Sequence, residues 1–212
     1  MEGLYKNNAI ADYYNTIVAH LINKYIEKRL TLSPHTNIHI MELGAGTGGT
    51  TGFVLKAIQS FSSSIQYDYT DISLHFTEHG KNEFSHKYPF CRFYTVDLEK
   101  PIDEQSLENE INNIDILFGT NVFHATRNIE QTLHNVKRLL KTSAMMADAE
   151  HLISPPMDSF VEKALVQCCS NHCIRQKKTM IIYMRSSKDL LKIMVALPNP
   201  SQHPIQTRKK MC

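Results

Sequence analysis

Apolar residues follow two different periods along the first 150 residues of the chain. From Ile10 to Ile26 they recur at helical spacing, which predicts an amphipathic helix that packs one face on a core. Farther along, short apolar runs rich in β-branched and aromatic residues predict strands. Five strands are predicted in this way, at residues 38–41, 65–70, 90–96, 114–118 and 145–147.

Helical patterns separate the predicted strands, at residues 51–60, 74–84, 106–112 and 129–140. Strands that alternate with helices form a mostly parallel sheet with helices on both faces, so the predicted fold class is α/β. In an open sheet of this kind the ligand lies across the carboxyl ends of the strands. We therefore expect the functional residues of this chain just after its strands.

The segment at residues 41–51, MELGAGTGGTT, joins the first predicted strand to the helix that follows it. Gly44, Gly46 and Gly49 match the pattern G-x-G-x-x-G, in which bare backbone approaches a nucleotide closely. The pattern alone is a weak signal, but Glu42 stands two positions before Gly44. A carboxylate there repels a pyrophosphate and attracts the ammonium and sulfonium groups of S-adenosylmethionine. The segment therefore predicts that cofactor and disfavours a nicotinamide dehydrogenase.

Acidic residues also follow the next two predicted strands. Asp71 comes about 27 positions after Gly44, where a carboxylate can accept hydrogen bonds from both ribose hydroxyls. Its alternative role is a helix N-cap before Ser73. Asp97 ends the third strand, and it either reaches the adenine amino group or serves as a turn acid.

Charge is distributed unevenly, although the whole chain carries only +2. Residues 1–150 hold 13 Lys and Arg against 18 Asp and Glu, a balance of −5, whereas residues 151–212 hold 10 against 3, a balance of +7. These basic charges are scattered and lack interleaved aromatic residues, so we expect no nucleic-acid partner. The absence of a run of about 18 apolar residues and of a signal pattern predicts no membrane segment and a cytoplasmic location.

The last third of the chain carries a weaker pattern. A helix is expected at residues 157–166, and the apolar runs at 180–184 and 190–197 have no clear period. Cys168, Cys169, His172 and Cys173 lie within six residues, but no second half-site accompanies them, so we prefer a buried helix face to a zinc site. No metal is predicted, and the five cysteines are interpreted as free thiols.

Three regions are expected from these patterns. Residues 1–37 form a helical cover, residues 38–154 form the cofactor-binding core, and residues 155–212 form a divergent segment that is disordered from about residue 200.

Six short motifs occur along the chain: LY at residues 4–5, DYYN at 12–15, the glycine segment at 41–51, YTDIS at 69–73, VDLE at 96–99 and NVFHAT at 121–126. In this order they resemble the C-methyltransferase domains of polyketide synthases, within the class I S-adenosylmethionine-dependent methyltransferases. The TDIS and NVFHAT segments narrow the resemblance from the superfamily to this group. The resemblance runs from residue 4 to residue 150 and implies a Rossmann-like class I methyltransferase fold.

The resemblance implies transfer of a methyl group to the α-carbon of a β-ketoacyl chain, held as a thioester on an acyl carrier protein. His124 matches the general base, and Glu150 matches the glutamate that orients it. Tyr5 and Tyr14 match residues of the helical cover, and Asn121 shapes the loop or meets the substrate. The implied cofactor-binding residues are Glu42, Gly44, Ala45, Gly46, Thr47, Gly48, Asp71, Ile72, Asp97, Leu98 and Asn121.

The chain departs from the family pattern in three ways. About 37 residues precede the first predicted strand, so we expect most of the family's N-terminal lid to be absent. Residues 142–144, TSA, replace the usual Pro-Gly-Gly turn, and the usual final antiparallel strands are not evident. Two alternatives follow: a stand-alone O- or N-methyltransferase that acts on a small molecule, and a truncated synthase remnant without catalytic activity.

Overall fold

The computed structural model of the chain describes residues 9–105, 107–150, 180–185 and 192–195. Seven strands occur within these residues: β1 Ile38–Leu43, β2 Ile65–Asp71, β3 Cys91–Thr95, β4 Ile114–Thr120, β5 Leu140–Glu150, β6 Met180–Arg185 and β7 Lys192–Val195. They form one sheet in the order β3-β2-β1-β4-β5-β6-β7. Neighbouring strands are parallel, except that β7 is antiparallel to β6. The predicted α/β class with a mostly parallel sheet is confirmed.

The helices of the described residues are α1 Ala9–Leu32, α2 Gly49–Ile58, α3 Leu74–Phe84 and α4 Ile129–Lys137. They cover both faces of the sheet, as predicted. On one face α1 and α2 pack against alternate strand residues such as Ile40 and Tyr67. On the other face α4 packs against the intervening residues, such as Met41 and Leu117. All six residues of β1 are buried, as expected for a central strand of a parallel sheet.

The helix predicted at residues 106–112 is wrong for the residues described there. Two 3₁₀ turns, Ile102–Glu104 and Glu108–Glu110, occupy this crossover instead. Each turn buries one apolar residue at or beside its start, Ile102 or Leu107, against the α4 face. Asn112 then takes a left-handed conformation with φ 54°, which prevents a helix from continuing. The segment therefore covers the sheet with separate apolar residues rather than with a helix face.

The strand predicted at residues 145–147 is longer than expected, because β5 begins at Leu140. The helix predicted at 129–140 correspondingly ends at Lys137. The pairing with β4 is irregular: Ile114 pairs with Leu140, but Ile116 pairs with Met145. The residues that replace the family's Pro-Gly-Gly turn therefore lie within an irregular strand.

The final strands, which are not evident in the sequence, are present in the structure: β6 and β7 extend the sheet beyond β5. Their apolar runs lack the alternation that separates a strand from a buried helix segment, so the sequence alone did not assign them. Several predictions lie outside the described residues: the role of Tyr5, the helix at 157–166, the cysteines from Cys168 onward with His172, and the tail from about residue 200.

Candidate cofactor and catalytic site

The order of the strands locates the candidate site between β1 and β4. The chain leaves β1 toward β2 and β3 on one side, whereas β4 leads to β5 on the other side. In open α/β sheets such a switch point opens a crevice at the carboxyl ends of the two strands. The glycine segment follows β1 at this edge, and the NVFHAT segment follows β4.

The glycine loop uses three left-handed residues, Gly44, Gly46 and Gly48, with φ values of +57°, +58° and +77°. A Cβ atom on Gly44 would lie 2.7 Å from Cγ2 of Val122, and one on Gly48 would lie 2.6 Å from the ring of Phe84. For Gly46 the nearest atom would be 3.9 Å away. Two glycines thus permit packing inside the protein, while Gly46 leaves bare backbone toward open space. Gly49, the last glycine of the G-x-G-x-x-G pattern, is the first residue of α2. The third left-handed glycine of the loop is therefore Gly48.

Strand β2 holds the glycine loop in place. The Tyr69 hydroxyl donates to the Gly46 carbonyl at 2.6 Å, and the Gly46 N–H donates to Oδ2 of Asp71 at 2.9 Å. The Ala45 N–H donates to the Thr70 carbonyl at 2.9 Å. Ala45 is buried and Thr47 is partly exposed. The loop is therefore preorganised by the residues of β2 before any ligand binds.

Asp71 organises two neighbouring backbones at once. Its Oδ1 accepts from the Ser73 N–H at 2.8 Å, and its Oδ2 accepts from Gly46. Ser73 is the N-cap of α3, so Asp71 lies before the cap rather than at it. Each carboxylate oxygen can accept a further hydrogen bond, so ribose recognition stays compatible with this geometry. Ile72 beside it is 69 % exposed and offers an apolar surface at the same edge.

Glu42 is buried, with a relative exposure of 2 %. Its Oε2 accepts from the Tyr67 hydroxyl at 2.5 Å and from the Thr51 hydroxyl at 2.7 Å. Burial raises the pKa of Glu42 to about 7, although both hydroxyls act to lower it, and the charge of Asp71 raises it further. In the part of the chain that the structure describes, no cation pairs with this carboxylate. Glu42 is thus a buried acid stabilised by neutral donors.

Asp97 closes a turn after β3. Its Oδ1 accepts from the Glu99 N–H at 3.0 Å, and its own N–H donates to Oε1 of Gln105 at 2.7 Å. The role of a turn acid is therefore observed, while contact with adenine stays a prediction. Leu98 is buried in the core on the α4 face.

The NVFHAT segment turns sharply after β4. Asn121 has a left-handed φ of 58°, and a 3₁₀ turn spans Phe123–Ala125, so His124 lies in the middle of this turn. Phe123 is fully buried beneath the turn, and Oε1 of Glu99 accepts from the Arg127 N–H at 2.5 Å just beyond it. The turn is thus anchored to the core on one side and to the loop after β3 on the other.

Glu150 ends strand β5, beside β4 in the sheet. Because Thr120 pairs with Ala149, the backbones of Glu150 and of the His124 turn lie at the same edge. Their implied roles as base and orienting partner stay predictions.

A row of three hydrogen-bonded polar side chains crosses this edge, and the sequence patterns assigned no role to it. The Thr50 hydroxyl contacts Oδ1 of Asn15 at 2.9 Å and Oγ1 of Thr120 at 3.1 Å. The three residues come from α1, α2 and β4. Asn15 is the last residue of the DYYN motif, which was the signal available for it.

A second polar cluster, also missed, lies on the α4 face. Ligand atoms of His39, Asp68 and Glu110 lie within 4.8 Å of one another, a spacing that would suit a metal ion. However, the Arg92 guanidinium is 2.7 Å from Oδ2 of Asp68 and 2.8 Å from Oε1 of Glu110. The cation of this cluster is therefore Arg92. The sequence signal that could have revealed this cluster is the presence of His39 and Asp68 inside otherwise apolar strands.

Comparison with known proteins decides the family. A family model for a methyltransferase domain matches residues 41–146, which is half of the chain. The chain belongs to that methyltransferase family. Polyketide synthase PksM of Bacillus subtilis (strain 168) is 40% identical over 147 residues, which make up 69% of this chain and 3% of that synthase.

Among solved structures, this methyltransferase domain is similar to carbon methyltransferases. The DszA carbon methyltransferase is 37% identical with a TM-score of 0.66, and the alignment covers 76% of this chain and 41% of that one. The CurJ carbon methyltransferase is 26% identical with a TM-score of 0.70, covering 92% of this chain and 54% of that one. This chain therefore spans about half of the length of the solved structures and a small part of the synthases.

These comparisons confirm the resemblance to polyketide synthase C-methyltransferase domains and the Rossmann-like class I fold. They also confirm, at the level of the family, an S-adenosylmethionine-dependent methyltransferase with S-adenosylmethionine as its cofactor. None of the helices in the described ranges is long and apolar enough to cross a membrane. The cytoplasmic location stays a prediction.

Proposed function

We propose that this methyltransferase domain methylates the α-carbon of a β-ketoacyl chain, carried as a thioester on an acyl carrier protein. One observation supports this most: the segment that holds His124 packs directly on the glycine loop. Val122 of that segment fills the space beside Gly44, where an added Cβ would come within 2.7 Å of it. A base on this turn lies next to the glycine loop, as transfer between cofactor and substrate requires.

The residues of the glycine loop fit S-adenosylmethionine. Gly46 exposes backbone without a side chain, Asp71 keeps free acceptor capacity for ribose hydroxyls, and Ile72 offers an apolar surface for a ring. Glu42 supplies a carboxylate without a cation among the described residues, which suits a ligand that carries ammonium and sulfonium charges. When bound, S-adenosylmethionine supplies an electrophilic methyl group.

His124 takes the α-proton of the substrate in this proposal. Two flanking carbonyl groups acidify that proton, so an imidazole near neutral pH is a suitable base. Glu150, at the same edge of the sheet, orients the imidazole and stabilises its protonated form. Helix α1, with Tyr14 packed against the core, covers the α2 side of the site and restricts water.

The acyl carrier protein is the partner that this substrate implies. The excess of +7 in residues 151–212 would favour docking of an acidic carrier surface. The division into a cover at 1–37, a core at 38–154 and a divergent segment at 155–212 belongs to the same proposal.

The test combines purified chain, S-adenosylmethionine and a β-ketoacyl thioester on a pantetheine or carrier protein, with mass spectrometry of the product. We expect one methyl group on the α-carbon. His124→Ala should lower the rate by about 10²–10⁴-fold without loss of cofactor binding. His134→Ala is the matched control, because His134 is an exposed histidine on α4.

Each alternative has its own outcome in this assay. Methylation on oxygen, unchanged in His124→Ala, would contradict carbon methylation and favour the O- or N-methyltransferase. Cofactor binding without transfer to any thioester would contradict the proposal and favour the remnant without catalytic activity.

A further inference from the structure

We propose that Asn15, Thr50 and Thr120 form a positioning chain that sets the geometry of the His124 turn. The inference rests on the proposed function, because it assigns residues that act through the turn rather than on the substrate. Thr50 and Asn15 are buried, with exposures of 7% and 6%. The chain joins the helical cover, the start of α2 and the end of β4.

The hydrogen bonds of the positioning chain run in one direction, because each hydroxyl has a single proton to donate. The Thr50 hydroxyl donates its one proton to Oδ1 of Asn15 at 2.9 Å. The contact of 3.1 Å between Thr50 and Thr120 therefore has the Thr120 hydroxyl as donor and Thr50 as acceptor. The order is Thr120 to Thr50 to Asn15. Loss of the Thr50 hydroxyl alone would break both hydrogen bonds.

The position of Thr120 makes the chain relevant to catalysis. Thr120 is the last residue of β4, directly before Asn121, which has a left-handed φ of 58°. His124 follows within the 3₁₀ turn Phe123–Ala125. A hydrogen bond that holds the Thr120 side chain restrains the backbone where the turn begins. Small displacements of a base lower the rate of proton transfer strongly.

Other contacts also dock α1 against α2. Ile22 and Ile26 of α1 share a core with Val54 and Ile58 of α2. Farther along the same helix, Asn23 donates to the Ala57 carbonyl at 2.7 Å, at the end of α2 remote from the site. Asn15 and Asn23 thus both bridge α1 to α2. Only the Asn15 bridge continues to the carboxyl end of β4, so it has a role beyond packing.

Matched variants separate positioning from stability. Thr50→Val removes the hydroxyl at nearly constant shape, and Thr50→Ser retains it. Asn15→Ala and Asn23→Ala delete equivalent amides at the two ends of the α1–α2 contact. For each variant the midpoint of unfolding, cofactor affinity, kcat, KM and the pH profile of kcat are measured with the thioester substrate.

We expect Thr50→Val and Asn15→Ala to lower kcat by about 10-fold or more, with KM and cofactor affinity changed by less than about threefold. Thr50→Ser should recover kcat to within about threefold of wild type. Asn23→Ala should lower the unfolding midpoint without lowering kcat. Equal losses of kcat in Asn15→Ala and Asn23→Ala, or an unchanged kcat in Thr50→Val, would overturn the proposal.

Hydrogen exchange of the amides at residues 121–126 keeps the test independent of the proposed function. Exchange should be faster in Thr50→Val than in wild type and Asn23→Ala, whether or not the chain transfers methyl groups to thioesters. Equal exchange in all three proteins would overturn the positioning chain. A wild type that binds cofactor but methylates no thioester would contradict the proposed function alone.

Discussion

Two buried acids on neighbouring strands respond to burial in opposite ways. Asp68 of β2 is 0% exposed on the α4 face, and Glu42 of β1 is 2% exposed on the α1 face. Burial acts to raise the pKa of Asp68, but hydrogen bonds from His39 and Arg92 outweigh it, so this pKa lies below its ordinary value. The pKa of Glu42 is raised to about 7, because its donors are the neutral hydroxyls of Tyr67 and Thr51.

The difference separates a structural acid, Asp68, from Glu42, the acid that we propose to be functional. Asp68 has its cation inside the fold, since Arg92 contacts both of its oxygens at 2.7 Å. Glu42 has none among the described residues and lies at the switch point, beside the glycine loop. A buried acid without a counter-charge reduces stability unless it is protonated or a ligand supplies the charge. We expect S-adenosylmethionine to supply it.

The largest effect on stability should come from breaking the paired acid. Asp68→Asn removes the buried carboxylate that Arg92 and His39 share and leaves them Glu110 as their remaining acid, which should lower the free energy of unfolding by about 3 kcal/mol. Urea unfolding measures this change. Cofactor affinity should remain close to wild type, because the cluster lies on the other face of the sheet.

Asp103→Asn is the control for that substitution, since Asp103 pairs with Arg138 at the surface. Its effect should be small, because solvent screens an exposed pair. A loss after Asp68→Asn no greater than that of the control would contradict the comparison.

The unpaired acid should reveal itself through pH. The folded-state pKa of Glu42 is raised from 4.5 to about 7, so its protonated form stabilises the fold at low pH. That stabilisation is lost as pH rises from 4.5 through about 7, by up to about 3 kcal/mol in the free energy of unfolding. Glu42→Gln lacks this titration and keeps an acceptor for Tyr67 and Thr51. The difference between wild type and Glu42→Gln should therefore change with pH, whereas parallel stability curves would exclude the raised pKa.

Gly44 and Gly46 have nearly the same φ, but an added methyl group should disturb different surroundings at the two positions. Gly46→Ala should lower the free energy of unfolding by about 1 kcal/mol through left-handed strain. It should also weaken cofactor binding, because its Cβ points into the open space where we propose that the cofactor lies. Gly44→Ala should cost more, because its Cβ meets Val122. Adding Val122→Ala to Gly44→Ala should recover part of that loss. Thermal unfolding and cofactor titration of the four proteins measure both effects.

The sequence predicted what local patterns encode. The glycine segment, Asp71 and the helix Leu74–Phe84 follow from residues close together in the chain. Contacts across long separations could not be read in this way. His39 and Asp68 are separated by 29 positions, and Asn15 and Thr50 by 35. Neither the polar cluster around Asp68 nor the proposed positioning chain therefore has a local sequence pattern.

Strand β5 illustrates the same limit. Its first residue, Leu140, is also the last residue of the helix predicted at 129–140, and pairing with β4 draws it into the sheet. Tertiary pairing outweighs local preference there.

Calorimetric titration of wild type and Glu42→Gln with S-adenosylmethionine and with S-adenosylhomocysteine, which lacks the sulfonium charge, tests the central claim most directly. We predict saturable binding by wild type with a preference for the sulfonium ligand. Glu42→Gln should bind S-adenosylmethionine about 10-fold or more weakly and lose most of that preference. Equal affinities of both proteins for both ligands, or no binding by folded wild type, would contradict the claim that Glu42 is the counter-charge of a cofactor site.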